Sequence, residues 1–321
     1  MSTILVTGSL AYDYIMHFGD TFGKHILVDK IDKLNVSFTA SDLSKNRGGT
    51  AGNISYSLAL LNETPVIATT VGKDFDEYRT FLEQRGIVTS EIIVLENEWT
   101  ASAHIITDLN ANQITAFHGG AMLNNDFSLE STLGKFDIKI AIISADGKTG
   151  MLRHAEEFRS SGTKYVYDPG HSLPAFNGEE IMNILNGSYI VLVNSYEADL
   201  IVDKTGKSLD ELRQLVDYFI VTQGGDGSVI YHKDEETQIK VAKTDNFVDP
   251  TGAGDAYRAG LLKGLVNDLP METCGHIASV AACYAVECNG TQNFAYDTEG
   301  FLNRFSENYG QNDQVVKLFN G

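Results

Sequence analysis

The chain has 321 residues, of which 43% are hydrophobic and 21% charged, a composition typical of soluble globular proteins with a large core. Its 43 acidic residues outnumber its 24 basic residues, and this balance argues against non-specific binding to nucleic acid or to an anionic membrane. The N-terminus lacks the pattern of a signal peptide, and the three cysteines show no C-x-x-C spacing. We therefore expect a cytoplasmic protein in a reducing compartment.

Strand patterns alternate with helix patterns along most of the chain. Strands are predicted at 4–8, 66–71, 138–144, 165–168, 189–193 and 219–222, and a hairpin begins at 228–231. Helices are predicted at 50–61, 76–85, 151–160, 194–200, 256–266 and 276–287. This alternation predicts an α/β fold with a mainly parallel central sheet flanked by helices.

Two segments interrupt the alternation. Residues 14–46 and 99–118 show strand-like periodicity with little helix, which predicts a small sheet outside the main one. No linker rich in proline, glycine or serine divides the sequence, so we expect a single domain over residues 1–321.

The most specific motif is Asp249-Pro-Thr-Gly-Ala-Gly-Asp255-Ala256, at the start of a predicted helix. Gly252 and Gly254 lack side chains, so backbone N–H groups can surround an anion at the positive end of the helix dipole. Asp255 adds a carboxylate beside that site. This combination suits a base that removes a proton from a hydroxyl while the oxygen attacks a phosphate. A helix cap and a glycine-rich turn are the ordinary alternatives.

Candidate substrate-binding residues occur near the N-terminus. Asp13 follows the first strand and is suited to accept hydrogen bonds from a pair of hydroxyls, or else is a loop carboxylate. In Gly48-Gly49-Thr-Ala-Gly-Asn53, the glycines allow a ligand to approach the backbone, and Asn53 offers a donor and an acceptor. Arg47 is either a phosphate contact or an exposed base.

Two further motifs follow predicted strands in the second half of the chain. Asn194-Ser-Tyr-Glu197 places one carboxylate where it could act on Mg²⁺ through water, or forms a helix-capping pair. Thr222 and Gly224 follow the next strand, where a nucleotide could pass the sheet edge. The run from Gly224 to Gly227 is equally typical of a hairpin turn.

In chain order, these motifs resemble those of the ribokinase-like carbohydrate and nucleoside kinases, also called the phosphofructokinase B family. The resemblance spans nearly the whole sequence and implies a ribokinase-like fold whose small β-sheet forms a lid over the substrate. It implies ATP and Mg²⁺ as cofactors, with Glu197 acting on Mg²⁺ through water. In some members a monovalent cation such as K⁺ binds near Asp249 and Gly290.

The resemblance also assigns roles to individual residues. It implies that Asp255 is the catalytic base and that Gly252, Ala253 and Gly254 form the anion hole with it. Substrate-binding roles fall to Asp13, Gly48, Gly49 and Asn53, and nucleotide-binding roles to Asn194, Glu197, Thr222, Gly224 and Gly227.

Within the family, the chain looks most similar to prokaryotic adenosine and nucleoside kinases. That similarity implies phosphorylation of the 5′-hydroxyl of a nucleoside, with adenosine as the expected substrate. Phe38, Phe117 and His118 are candidates for the base pocket, and packing within the lid is the alternative for the two phenylalanines. A sugar kinase acting on ribose, fructose or a related sugar would use the same catalytic residues.

Two other classes of protein fit the sequence less well. A Rossmann oxidoreductase would need G-x-G-x-x-G after the first strand, and the sequence there does not supply it. A non-catalytic nucleoside sensor would not need the intact base and glycines of the signature. We expect a small-molecule substrate, with no nucleic acid or membrane partner, in a monomer or a homodimer.

Overall fold

The computed structural model describes residues 3–26, 32, 35–244 and 246–320. Residues 27–31, 33 and 34 of the predicted lid segment 14–46 lie outside the described residues. In the part of the chain that is described, no helix is both long and apolar enough to cross a membrane.

The strands are β1 (Thr3–Thr7), β2 (Ala11–Phe18), β3 (Ala40–Gly48), β4 (Val66–Gly72), β5 (Val88–Leu95), β6 (Ala101–Thr107), β7 (Gln113–His118), β8 (Ile138–Ile143), β9 (Tyr165–Tyr167), β10 (Ile190–Asn194), β11 (Tyr218–Thr222), β12 (Ser228–His232) and β13 (Glu235–Ile239). The helices are α1 (Thr50–Leu60), α2 (Asp76–Glu83), α3 (Glu130–Lys135), α4 (Lys148–Ser161), α5 (Gly178–Leu185), α6 (Ser195–Thr205), α7 (Leu209–Arg213), α8 (Ala253–Val266), α9 (Met271–Val286), α10 (Thr298–Tyr309) and α11 (Asp313–Asn320).

Over the described residues, nine strands form the main sheet in the order β13-β12-β11-β10-β9-β8-β1-β4-β5. All neighbours from β11 to β5 pair in parallel, and β12 and β13 add an antiparallel hairpin at one edge. The predicted α/β architecture, with its mainly parallel sheet, is confirmed. Because parallel strands share one direction, their carboxyl ends, with the loops that follow them, meet at a single edge of the sheet.

Helices cover both faces of this sheet. Along β1, Ile4 and Val6 belong to one hydrophobic cluster and Leu5 to another on the opposite face. Helices α8 and α9 approach each other closely, because a Cβ atom on Gly260 would lie 2.5 Å from the Cα atom of Ala278. Gly264, four residues further along α8, is also close to α9, since a Cβ atom on it would lie 2.9 Å from the Cα atom of Cys274. Residues four apart share one face of a helix, so these glycines let α8 and α9 pack closely.

The predicted small sheet is also present. Its strand order is β3-β2-β6-β7, with β2 and β6 parallel and the two outer pairs antiparallel. These strands come from the two segments whose alternation predicted them, and together they are called the lid below.

Candidate active site

The signature begins helix α8, and this places the candidate base in a helical first turn. Gly252 is the N-cap and has a φ of 81°, in the left-handed region that glycine tolerates. The helix starts at Ala253, three residues before the predicted start, so Asp255 lies among its first N–H groups. The N–H group of Ala253 donates to the Pro250 carbonyl at 3.2 Å, so this member of the predicted anion hole is engaged within the turn.

Asp255 and Asn53 come together from opposite ends of the chain. The side-chain amide of Asn53, on α1, donates to Oδ2 of Asp255 at 2.8 Å. The Asp255 side chain is only 13% exposed. Burial raises the pKa of this carboxyl, while Arg258, the hydrogen bond from Asn53 and nearby His171 oppose the rise. A carboxylate in this state is a stronger proton acceptor than an exposed aspartate.

Arg258 forms a buried ion pair that the sequence did not predict. Its guanidinium pairs with Asp168, whose side chain is 1% exposed, in the loop after β9. Its Nη1 also lies 3.8 Å from Oδ1 of Asp255. The structure thus directs the Arg258 side chain to Asp168 and not to solvent. Arg258 therefore holds positive charge beside the candidate base.

The Gly48-Gly49 motif forms the entry to α1. Gly49 has a φ of 85°, and the N–H of Ala51 donates to the Ser9 carbonyl at 3.0 Å, which joins this loop to the one after β1. A Cβ atom on Gly48 would lie 2.7 Å from Oδ2 of Asp13. Asp13 and the glycine loop are thus neighbours, as expected of residues that bind one substrate.

One face of the lid carries Asp13 together with apolar side chains. Across the sheet, Asp13 pairs with Ala103 and Ala103 with Phe117, while the next row on the same face joins Ile15 to Ile105. The Phe117 side chain is 55% exposed. This face therefore offers a carboxylate with an apolar surface beside it.

The other two candidates for the base pocket lie elsewhere. His118 pairs with Ser102, and alternation along the strand puts it on the face opposite Phe117. Phe38 contacts Phe18 and Phe22, with ring centroids 4.8 and 5.1 Å away, near the end of β2 distant from Asp13. The structure therefore does not bring Phe38 or His118 together with Asp13, and Phe38 packs within the lid.

The predicted nucleotide motifs meet at the ends of β10 and β11. Asn194 and Thr222 are direct neighbours in the sheet, beside a cavity of about 530 Å³ that Gly224 also lines. Asn194 and Glu197 form a reciprocal cap in which the N–H of Glu197 donates to Oδ1 of Asn194 at 2.8 Å. Gly227, with a φ of 92°, closes the turn into β12. The capping and turn interpretations hold, and the open cavity leaves room for a nucleotide.

The comparisons with known proteins identify the family of this chain. Residues 13–299 match the family described as pfkB family carbohydrate kinase. The chain belongs to the pfkB family. It is therefore a kinase that transfers a phosphoryl group to a hydroxyl.

Similar proteins include nucleoside kinases. The nucleoside kinase of Methanocaldococcus jannaschii is 32% identical over 295 residues, covering 91% of this chain and 93% of that protein. The structure of the Burkholderia thailandensis nucleoside kinase in complex with inosine superposes with a TM-score of 0.84 at 35% identity, covering 96% of this chain and 99% of that one. The complex of the same kinase with ADP-inosine has a TM-score of 0.83 at 37% identity, covering 96% and 97%.

The donor set of this pfkB kinase suits a metal ion that arrives with the nucleotide. The described residues contain no group of three or more histidine, cysteine or acidic side chains able to hold a metal. Mg²⁺ commonly binds through one or two carboxylates, several waters and substrate phosphates. Glu197 does not line the candidate nucleotide cavity but follows Tyr196, which does, and its Oε2 accepts from the N–H of Asn194 at 2.9 Å. A contact to Mg²⁺ through water would suit this position, and it stays a prediction.

The region predicted for a monovalent cation is closed by hydrogen bonds. Oδ1 of Asp249 accepts from the N–H of Thr251 at 2.9 Å, and Oδ2 accepts from the N–H of Gly290 at 3.1 Å. Asp249 therefore joins the signature loop to the loop after α9, and its role toward a cation stays a prediction.

The Arg47 side chain contacts helix α2. Its guanidinium donates to Glu77 at 3.2 Å and stacks 4.1 Å from the ring centroid of Phe81. The arginine is therefore not a free exposed base, because it joins the lid strand β3 to α2. The alternative interpretation, a contact to phosphate, stays a prediction.

Proposed function

We propose that this kinase phosphorylates the 5′-hydroxyl of a nucleoside, with adenosine as the first candidate, and that Asp255 is the general base. The observation that carries the proposal is the hydrogen bond from Asn53 to the buried carboxylate of Asp255. It joins the predicted hydroxyl-binding motif to the predicted phosphate-binding motif at a single point.

The geometry supports a defined proton path. Asp255 accepts the proton of the 5′-hydroxyl while that oxygen bonds to the γ-phosphorus of ATP, and the bond from that phosphorus to the β-phosphate oxygen breaks to release ADP. The N–H groups that follow Ala253 in the first turn of α8 would face the charge that develops on the transferred group. Mg²⁺ bound to the nucleotide supplies further positive charge to the phosphates.

The lid supports a nucleoside over a free sugar. Asp13 is suited to accept hydrogen bonds from ribose hydroxyls, and Ile15, Ile105 and Phe117 offer an apolar surface on the same face of the lid. A free sugar would leave that apolar surface without a partner, whereas a nucleobase would cover it. The similarity to kinases that act on nucleosides points the same way.

A substrate panel tests the proposal. ADP release with MgATP would be measured for adenosine, inosine, guanosine, cytidine, ribose and fructose. We expect kcat/KM to be highest for a nucleoside and turnover to stop when Mg²⁺ is chelated. Turnover with a free sugar alone would keep the kinase chemistry and overturn the proposed substrate class.

The lid assignment has its own matched pair of variants. Phe117→Ala removes an aromatic ring from the proposed base-binding face, and Ile114→Ala removes an exposed apolar side chain from the opposite face of the same strand. Stacking on a base is worth roughly 1–3 kcal/mol, so Phe117→Ala should lower kcat/KM for nucleosides roughly tenfold or more. Equal effects of the two variants would contradict the assignment.

A further inference from the structure

Beyond the residues assigned above, a buried chain of hydrogen bonds leads away from the candidate base. Gln292, which is 6% exposed, donates from Nε2 to Oδ1 of Asn53 at 2.9 Å and to the Tyr78 hydroxyl at 2.5 Å. The Tyr78 hydroxyl donates to the Gly48 carbonyl at 2.9 Å. Asn53 in turn donates to Asp255. The network thus runs from the Gly48 backbone to the catalytic carboxylate.

The direction of each bond in this chain is determined. An amide side chain can be turned so that either its NH₂ or its carbonyl group faces a given partner. A partner that can only accept a hydrogen bond, or only donate one, therefore determines which group faces it and which group faces the opposite side. Gln292 presents NH₂ to Asn53, so the Asn53 carbonyl is occupied and its NH₂ faces Asp255. The Tyr78 hydroxyl gives its hydrogen to Gly48, so it can only accept from Gln292.

We propose that Gln292 is a positioning residue for phosphoryl transfer, which holds the Asn53 amide in the orientation that donates to Asp255. Tyr78 is the second link, which fixes Gln292 and connects it to Gly48. Gln292 does not touch Asp255 and acts through Asn53, and this role rests on the proposed function of Asp255 as the base. If Asn53 turned over, its carbonyl oxygen would face the carboxylate and favour the protonated form, which cannot accept a proton.

The position of Gln292 explains how one side chain can serve this role. It follows Gly290, whose N–H donates to Asp249, and Thr291, whose hydroxyl donates to the Arg47 carbonyl at 3.1 Å. The loop is therefore attached both to the signature segment and to the lid strand β3. This attachment holds Gln292 in place between α1 and α2.

The test compares kcat/KM for adenosine as a function of pH in the wild type and in Gln292→Met. Methionine has a similar length and shape but donates no hydrogen bonds, and Gln314→Met on the exposed side of α11 is the matched control. Besides Asn53, the charged and titratable groups around Asp255 are Arg258 on its own helix and His171 and Asp168 on the loop after β9, and the substitution changes none of them.

We expect Gln292→Met to lose roughly 10- to 100-fold in kcat/KM, the range for a hydrogen bond to a charged group. The acidic limb of the profile should move to higher pH by about one unit, because the carboxylate loses a fixed donor. Gln314→Met should match the wild type. A loss of rate and melting temperature with no shift of the limb would indicate a merely structural role and overturn the proposal.

A double-mutant cycle tests whether Gln292 acts through Asn53. In an Asn53→Ala background, Gln292→Met should change kcat/KM by less than about twofold, because the group it positions is absent. The same fold loss in both backgrounds would overturn the proposal. Failure of the proposed function is distinguishable, because then the wild type would not phosphorylate nucleosides or Asp255→Asn would remain active.

Discussion

Replacing Gly49 by alanine tests how the Gly48-Gly49 loop is held against residues 9–11, which follow β1. Gly49 has a φ of 85°, and a Cβ atom there would lie 2.7 Å from both the Ala11 nitrogen and the Leu10 Cα atom, and closer still to the Ser9 carbonyl oxygen. These are all backbone atoms, so no side-chain rotation can relieve the contact. Gly86 is a matched control, since its φ is 75° and a Cβ atom would meet nothing within 4 Å.

The two substitutions share one energetic cost and differ in the other. Both glycines have a positive φ, which costs alanine about 1–2 kcal/mol or more, and the cost is highest at Gly49 because its ψ of 142° lies outside the left-handed helical region. Overpacking adds about 1–3 kcal/mol at Gly49 alone. We therefore expect the free energy of unfolding to fall by about 2–5 kcal/mol in Gly49→Ala and by about 1–2 kcal/mol in Gly86→Ala.

Urea unfolding followed by circular dichroism measures both values, and unchanged m-values would show that the same transition is compared. Nucleoside turnover is the second measurement, because a shift of Gly49 would displace Asn53, which lies in the first turn of α1. Only Gly49→Ala should lose activity. If Gly49→Ala destabilises the protein no more than Gly86→Ala, the argument from close backbone approach is refuted.

Three further predictions concern charged groups. Asp168→Asn should lower the free energy of unfolding by about 1.5–3 kcal/mol in urea, because Arg258 loses its charged hydrogen-bond partner and keeps only Asp255, 3.8 Å away. A loss under about 1 kcal/mol would contradict the importance of this ion pair. Burial raises the pKa of Asp255, so the free energy of unfolding of the wild type falls as pH rises from about 3.9 through the raised native pKa. Asp255→Asn should therefore be more stable than the wild type at pH 8, by an amount that shrinks toward pH 4. A gain in the free energy of unfolding that does not depend on pH would argue against this. Glu77→Gln should lower the free energy of unfolding in urea by less than about 1 kcal/mol, because the ion pairs of Glu77 with Lys45 and Arg47 are largely exposed. A larger loss that persists in high salt would show instead that these pairs hold the lid to the body of the protein.

The parts of the fold that the sequence predicted have strong periodic patterns. Strands buried on both faces, such as 138–144 and 189–193, appear as apolar runs followed by helical spacing, and they lie in the centre of the sheet. The edge strand Val88–Leu95 was missed because its burial is irregular: only two of its eight residues are fully buried, and they do not alternate regularly with the two exposed ones. The helices Gly178–Leu185 and Thr298–Tyr309 were missed as well.

The candidate site could be predicted where glycines and polar residues form a compact motif. The motifs containing Asn53 and Asp255 were recognised separately, and the structure shows that the two side chains touch. Asp168 and Gln292 could not be found this way, because each stands alone in the sequence and acquires its partners only through the fold. Phe38 was proposed for the base pocket from its residue type, and type alone does not show which end of the lid a side chain occupies.

The most direct test of the central claim is the turnover number for adenosine in Asp255→Asn. Asp268→Asn, at the far end of α8 with a side chain 79% exposed, is the matched control. Loss of a general base typically costs ~10²–10⁴ in rate, so kcat should fall by that factor in Asp255→Asn while calorimetry shows adenosine still bound. The control should turn over at the wild-type rate. Wild-type kcat in Asp255→Asn would contradict the assignment of the base and, with it, the proposed mechanism.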